Sequence, residues 1–482
     1  MGKLSAIDYK KVFYYFEEIS NVPRGSGYND KISEYLVNFA KIHNFDYICD
    51  EYKNVIIYKR ASVGFEDRDT IILQGHMDMV CEKTSDSKHD FLNEGLELLI
   101  EDGFVTANGT TLGGDDGIAL AYMLAFLDSD EYNHPALECV FTTDEETGMD
   151  GSIGLDAGLL HGKYMINLDS EEEGVFLASC AGGLTARCTF NIKREQKTGK
   201  LLKIRVSGLK GGHSGTEINK YRENASVILV RLLNELRKYN KYELLNLTGG
   251  TKDNVITSEA YADILIREME FNVILRKLAS ISKCILSEIN DYEPKVSIDF
   301  GYEEEKEYKV INEEITGKII SALMSVPYGV LKMSANIEGL VESSINFGTL
   351  ETSDKGIVAQ FSIRSSKDSY KEYTFDRIKA IMSNYDAEVI KKSEYPAWEF
   401  NNSSKLRKVA CDVYKELFDK NPKVEAIHAG LECGIISKKI EGLDIVSCGP
   451  DILDIHTVKE RMDIESVKRM YDWMVKVIES LS

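Results

Sequence analysis

The sequence predicts an α/β protein whose α/β domain is built from both ends of the chain and is interrupted by an inserted α+β domain. Three observations carry that prediction. Short apolar runs alternate with amphipathic helical patterns over residues 1–184. Near residue 184 the pattern turns to groups of strands followed by helices, and near residue 400 the first style returns. The expected domains are therefore 1–184 joined with 400–482, and 185–399 between them.

In chain order, "YKKVFYYFEEI" and "NDKISEYLVNFAKIH" place apolar residues three and four apart, the spacing of amphipathic helices. "VIIYK" and "TIILQG" are short apolar runs of the kind found in a covered sheet. "GIALAYMLAFLD" predicts a strongly apolar helix, followed by strands at "ALECVFTT" and "YMINLD". In the insert, "LTARCTFNI" and "LLKIRVSG" read as strands, "NASVILVRLLNELRKY" as a helix, "YADILI" as a strand and "FNVILRKLASISKCILSEI" as a helix, with a strand at "PKVSIDFGY". A similar order recurs over 313–395, so the insert reads as two similar α+β subdomains, although no residue-level repeat accompanies them. After 400 come the helix "SSKLRKVACDVYKELF", the strand "LDIVSCG" and a last helix with apolar residues at 464, 467, 471, 474, 478 and 481.

Composition narrows the function classes. At 482 residues the chain is long enough for roughly two to four domains. Hydrophobic residues at 43% and charged residues at 28% are those of a globular protein with a sizeable core. A net charge of −21 argues against nucleic acid or an anionic membrane as partner, since both need a basic face. The nine cysteines stand far apart with no CxxC pair, which predicts reduced thiols. The N-terminal stretch lacks the apolar core of a signal peptide, no later segment approaches a membrane span, and a cytoplasmic protein is expected.

Five polar clusters sit where apolar runs stop: "GHMD" (His76, Asp78), "TLGGDDG" (Asp115, Asp116), "TTDEETG" (Glu145, Glu146), "INLDSEE" (Asp169) and "DIHTVKE" (His456). Carboxylates at strand ends of an open α/β sheet face the crevice where ligands bind. Oxygen and imidazole donors without cysteine suit zinc, manganese or cobalt in a hydrolytic site. His76 and Asp78, two apart, share a face if the chain stays extended, so Asp78 can orient the imidazole. On an extended segment the neighbours Glu145 and Glu146 point opposite ways, so that one can hold a metal while the other reaches a bound water. His76, Asp115, Glu146, Asp169 and His456 carry three negative charges, which two divalent ions and one bridging hydroxide bring to zero. If Asp115 bridges, each metal receives one histidine, one terminal carboxylate, the shared carboxylate and the water, in a pair about 3.5–4 Å apart.

Taken singly, each cluster has a plain structural reading. Gly-Gly and Asp-Gly are turn residues, Asp115 or Asp116 can cap the next helix, "DEET" can be a solvated turn, and a lone His456 can be a surface residue. The coincidence of five at strand ends is what points to a site.

The order GHMDMV, TLGGDDGIALA, TTDEETGM, INLDSEE and IHTVKERM resembles the M20 metallopeptidases, most closely their aminoacyl-histidine dipeptidase branch (cytosol non-specific dipeptidase, peptidase D). The resemblance extends to "NVPRGSG", "KGGHSG" and "HAGLECG", and so covers essentially the whole chain. It implies a zinc-peptidase-like catalytic domain, with a mixed sheet flanked by helices, and an inserted α+β lid that also mediates a homodimer. It implies two Zn2+ per chain, with Mn2+ or Co2+ as possible substitutes: His76 and Asp169 on one, Glu146 and His456 on the other, and Asp115 bridging. Asp78 would orient the histidine. Glu145 would be the general base that activates a metal-bridging hydroxide. His213 matches the lid histidine that polarises the scissile carbonyl, Asn254 and Arg364 match substrate-binding lid positions, and Glu432 and Gly434 would line the same pocket. The implied substrate is a dipeptide with a free N-terminus, Xaa-His included.

Two departures stand out. The family's usual "GADNG" is "GGDDG" here, which sets Asp116 beside the bridging position, and "HTVKERM" replaces the common "HSPDERV". The same metal core also serves tripeptidases and acyl-amino-acid deacylases, and a catalytically silent, peptide-binding relative is a further alternative. Against the last, positions 76, 78, 115, 145, 146, 169 and 456 all carry the required residue types.

Overall fold

The structure, a computed structural model, describes residues 3–7 and 9–481. The chain forms two compact units. Within the described residues the first takes the chain up to Ser179, Phe400–Ala426 and everything from Leu431 onward; the second takes Cys180–Glu399 and Ile427–Gly430. The crossing expected after residue 184 thus falls after Ser179, and four residues, Ile427–Gly430, return to the second unit from within the stretch assigned to the first.

An eight-stranded sheet centres the first unit, in the order Asp46–Cys49, Val55–Lys59, Leu137–Thr142, Ile71–His76, Tyr164–Asn167, Asp444–Ser447, Val175–Cys180, Lys423–Ile427. The strands Leu137–Thr142, Ile71–His76, Tyr164–Asn167 and Asp444–Ser447 are mutually parallel, while Asp46–Cys49, Val55–Lys59 and Val175–Cys180 pair antiparallel with the strands on their inner side, so the sheet is mixed. Every residue of Ile71–His76 and of Leu137–Thr142 is buried, as expected of strands covered on both faces. The apolar run after "GGDD" forms the helix Gly114–Leu127, buried along its entire length. It packs in one core with the helix Val12–Ser20 and the C-terminal helix Ile464–Ser480, whose start is capped by the Asp463 carboxylate accepting from Ser466 N–H. A four-stranded sheet in the order Ile452–Leu453, Arg461–Asp463, Phe104–Ala107, Leu98–Glu101 carries the chain past His456. Among the described residues no helix is long and apolar enough to cross a membrane.

The second unit has a nine-stranded antiparallel sheet covered by the helices Ala225–Arg237, Phe271–Ile289, Glu313–Ser325 and Asp368–Ser383. The two α+β groups read from the sequence contribute strands to this one sheet. Its longest strand pair, Arg194–Ser207 with Ser297–Ile311, extends well beyond the apolar runs that predicted it. The extensions are charged and largely exposed, and are held by ladder hydrogen bonds instead of by burial.

Candidate metal centre

The five clusters lie in the first unit, three of them where its parallel strands end. His76 closes Ile71–His76 and is paired with Thr142, the last residue of Leu137–Thr142, after which the chain reaches Glu145 and Glu146. Asp169 follows Tyr164–Asn167. Asp115 lies on the first turn of the buried helix, where the backbone is not yet helical (φ −81°, ψ 109°), and its side chain does not cap that helix. His456 stands alone on the loop between two short strands, with φ 59°, the left-handed region in which histidine is one of the tolerated residues.

Each imidazole faces two carboxylate oxygens through Nε2. His76 Nε2 is 3.0 Å from Asp115 Oδ1 and 3.7 Å from Asp169 Oδ1. His456 Nε2 is 3.0 Å from Asp115 Oδ2 and 2.9 Å from Glu146 Oε1. The two oxygens of Asp115 are therefore divided between the two histidines. One Nε2–H satisfies one acceptor, and Glu146 Oε1 is accordingly buried without a hydrogen-bond partner. Two donor groups lie close enough to hold an ion, His76 with Asp115 and Glu146, and His76 with Asp116 and Asp169. Asp116 thus belongs to the cluster, but it also braces the strand, since its Oδ2 accepts from His76 N–H at 3.2 Å.

Asp78 contacts more than one of the quoted clusters. His76 Nδ1 is 3.1 Å from the Asp78 main-chain carbonyl and 3.4 Å from its carboxylate. That carboxylate also accepts from Glu145 N–H at 3.1 Å, from Glu146 N–H at 3.4 Å and from the Ser26 hydroxyl at 2.7 Å. This corrects the reading of Glu145 and Glu146 as extended neighbours: Glu145–Gly148 is a short helix entered through Asp144 at φ 56°. Its free N–H groups find an acceptor in the buried Asp78 carboxylate, which stabilises a helical turn where the sequence alone reads extension.

The electrostatics are those of an anion-rich pocket. Burial, with Glu432, Glu146 and Asp115 nearby, pushes Glu145 up to about 8. Burial and the neighbouring Asp116 and Asp115 hold the Asp169 carboxyl well above the ordinary range. Asp115 goes the other way: against its burial, hydrogen bonds from His456 and His76 keep it below the usual carboxylate value. His456 is raised to about 10 by its contacts with Asp115 and Glu146. A divalent cation among these Nε2 and carboxylate donors relieves the repulsion and the unpartnered Glu146 oxygen, so the donor set fits a metal cation.

Glu432 lies behind this centre in the first unit, fully buried at the start of the helix Glu432–Lys439. Its Oε2 accepts from Gln74 Nε2 at 2.6 Å and Thr142 Oγ1 at 2.7 Å, while Oε1 has no partner. Gly434 sits in the first turn of the same helix. Three further residues inside the quoted motifs, Ser26, Arg24 and Glu460, bind the segments that carry these clusters. Their partners are distant in sequence and, for Arg24 and Glu460, are main-chain groups, which leave no trace in a residue pattern.

The remaining candidates lie in the second unit. A two-stranded ribbon pairs His213 with Val255, one residue from Asn254, and Ser214 N–H donates to the Asn254 carbonyl at 2.9 Å. Arg364, buried, stands opposite Ser344 in the sheet and donates from Nη1 to the Tyr395 hydroxyl at 2.8 Å, while its Nε has no partner. His428, on the segment that returns to this unit, is 6% exposed and has Nε2 2.7 Å from Ser344 Oγ. Burial, with Arg364 and His213 beside it, pushes His428 down to about 3. A histidine held neutral in this way contributes stability that is present above its unfolded value near 6.5 and is lost as pH falls towards 3. Between pH 7 and pH 5 the wild type should lose about 2 kcal/mol that a His428→Gln variant does not lose. Denaturant melts of both proteins at the two pH values check this.

Residues 72–480 match the description "Peptidase family M20/M25/M40". The chain belongs to peptidase family M20. The "Cytosol non-specific dipeptidase" of Escherichia coli (strain K12) is 32% identical over 483 residues, covering 100% of this chain and 99% of that protein. Among solved structures, the M20 fold here matches aminoacylhistidine dipeptidase from Vibrio alginolyticus with a TM-score of 0.90 and 32% identity, over 98% of this chain and 96% of that one. Aminopeptidase PepT from Bacillus cereus ATCC 10987, at 15% identity and a TM-score of 0.63 over 98% of this chain and 99% of that one, shares the fold.

Proposed function

We propose that this M20 protein is a metal-dependent dipeptidase that hydrolyses dipeptides with a free N-terminus, Xaa-His dipeptides among them. The observation that carries the reading is the division of the Asp115 carboxylate between two imidazole–carboxylate groups, His76 with Asp169 and His456 with Glu146. The dipeptidase names of the two 32% identical relatives support it. Two Zn2+, with Mn2+ or Co2+ as substitutes, would be held by these five residues and when bound supply Lewis acidity toward a peptide carbonyl and toward water.

The protein's own groups do the rest. Asp78 holds the His76 ring at Nδ1 and, by accepting from Glu145 N–H, fixes the start of the turn that presents Glu145. Glu145 takes a proton from the attacking water on its carboxylate and returns it to the leaving amide nitrogen. The surplus of carboxylates favours the ammonium of a free N-terminus, and Glu432, with its unpartnered Oε1, and Gly434 are assigned to substrate binding. His213 is assigned to stabilising the developing oxyanion, Asn254 to substrate contact, and Arg364 to bidentate recognition of the C-terminal carboxylate. A homodimer through the second unit and a cytoplasmic location complete the reading; sedimentation of the purified protein checks the first.

Acetylating the substrate amine tests the assignment. Losing a charge partner worth roughly 2–5 kcal/mol should lower kcat/KM by about 30- to 5,000-fold against the free dipeptide. Equal or faster cleavage of acylated amino acids would mean a deacylase of the same family.

A further inference from the structure

We infer that Arg24 and Glu460 are positioning residues that grip the Leu112–Asp115 turn from two sides and hold Asp115 between its two histidines. Glu460 is 2% exposed, and its carboxylate accepts four consecutive main-chain N–H groups. Oε2 takes Leu112 at 2.8 Å and Gly113 at 2.9 Å; Oε1 takes Gly114 at 2.8 Å and Asp115 at 3.3 Å. Such a run of N–H groups around one carboxylate is an anion nest built into the chain. Glu460 is itself anchored, since its carbonyl accepts from Thr106 Oγ1 at 2.8 Å and the next residues pair with the strand Phe104–Ala107. It stands four residues after His456, so the loop that carries one histidine also clamps the shared carboxylate.

Arg24 works from the other side. It is 2% exposed, and its guanidinium donates through Nη1 to the carbonyls of Met77 and Asp78, both at 3.2 Å, and through Nη2 to the carbonyl of Gly113. One side chain therefore ties the segment after His76 to the turn before Asp115. The glycines of the motif make room for it: a Cβ on Gly113 or on Gly117 would lie 2.5 Å from Arg24 Nη2, and Gly113 also has φ +64°. A lysine, with one nitrogen, cannot span the three carbonyls that the planar fork reaches. Arg24 and Glu460 thus join three ligand-bearing segments, 76–78, 113–116 and 456–460, through main-chain groups.

The inference rests on Asp115 being a shared metal ligand, and its test separates the two claims. Calorimetric titration of Zn2+ into chelator-treated wild type, Glu460→Gln, Arg24→Lys and His456→Ala reads each cation position. The wild type should take two cations and His456→Ala should lose one class, which identifies the His456 position. Glu460→Gln, near in size but bringing an NH2 to face N–H donors, should weaken both classes, since both use Asp115, and the His456 class the more, by about 10–100-fold, because the same loop carries His456. Arg24→Lys should weaken both classes, because Arg24 grips both the 77–78 carbonyls and the turn; it carries the test if Glu460→Gln does not fold. Wild-type affinities in both variants would overturn the inference. So would equal weakening of both classes in Glu460→Gln together with a lower Tm of its metal-free form, the mark of a general folding role. Fewer than two cations in the wild type would instead overturn the metal centre.

Discussion

Glu145→Ala should lower kcat on a free dipeptide by about 10²–10⁴-fold, the range that a positioned acid–base group contributes, while both cations remain bound. Glu145 is not among the closest partners of either histidine Nε2, which face Asp115, Asp169 and Glu146. It is nonetheless held to the site through its main chain, because its N–H is bound by the Asp78 carboxylate. Removing its side chain leaves that N–H and the short helix in place. Metal content by elemental analysis should match the wild type, and KM should change far less than kcat. A variant that loses a cation along with turnover would make Glu145 a ligand, and one with wild-type turnover would remove it from the chemistry.

Asp115→Asn should act on both cation positions at once. Its two oxygens stand 3.0 Å from two different histidines, and an amide offers one oxygen and no charge there. If metal assistance contributes about 4–6 kcal/mol of transition-state stabilisation, kcat/KM should fall by about 10³–10⁴-fold. Metal stoichiometry should fall with it. Asp116→Asn makes the informative contrast, because it gives the residue type usual in the family motif. Its neighbour's carboxylate would still be shared, so turnover should stay within about 10-fold of the wild type. Kinetics at saturating Zn2+ and elemental analysis of the three proteins separate these outcomes.

Much of the fold and of the centre was legible in the residues because the chemistry sits where apolar runs stop. "TIILQGH" and "YMINLD" each end on the polar residue that reaches the cluster, and the strands beneath are buried on both faces. Long-range partners were not legible. Glu145–Gly148 is helical because a carboxylate 67 residues earlier accepts its first N–H. The Arg24 and Glu460 contacts go to main-chain groups 53 and 348 residues away, which any sequence could offer. The charged arms of the paired strands Arg194–Ser207 and Ser297–Ile311 carry no apolar alternation, so their strand character comes from pairing alone. The return of Ile427–Gly430 to the second unit hides in the same way, since the His428 contact with Ser344 spans 84 residues.

The measurement that tests the central claim most directly is hydrolysis of free dipeptides, Xaa-His included, before chelation, after chelation and after Zn2+ or Mn2+ is returned. Chelation should abolish turnover, and either cation should restore it. Turnover unchanged by chelation, or no cleavage of any free dipeptide with cation restored, would contradict the claim.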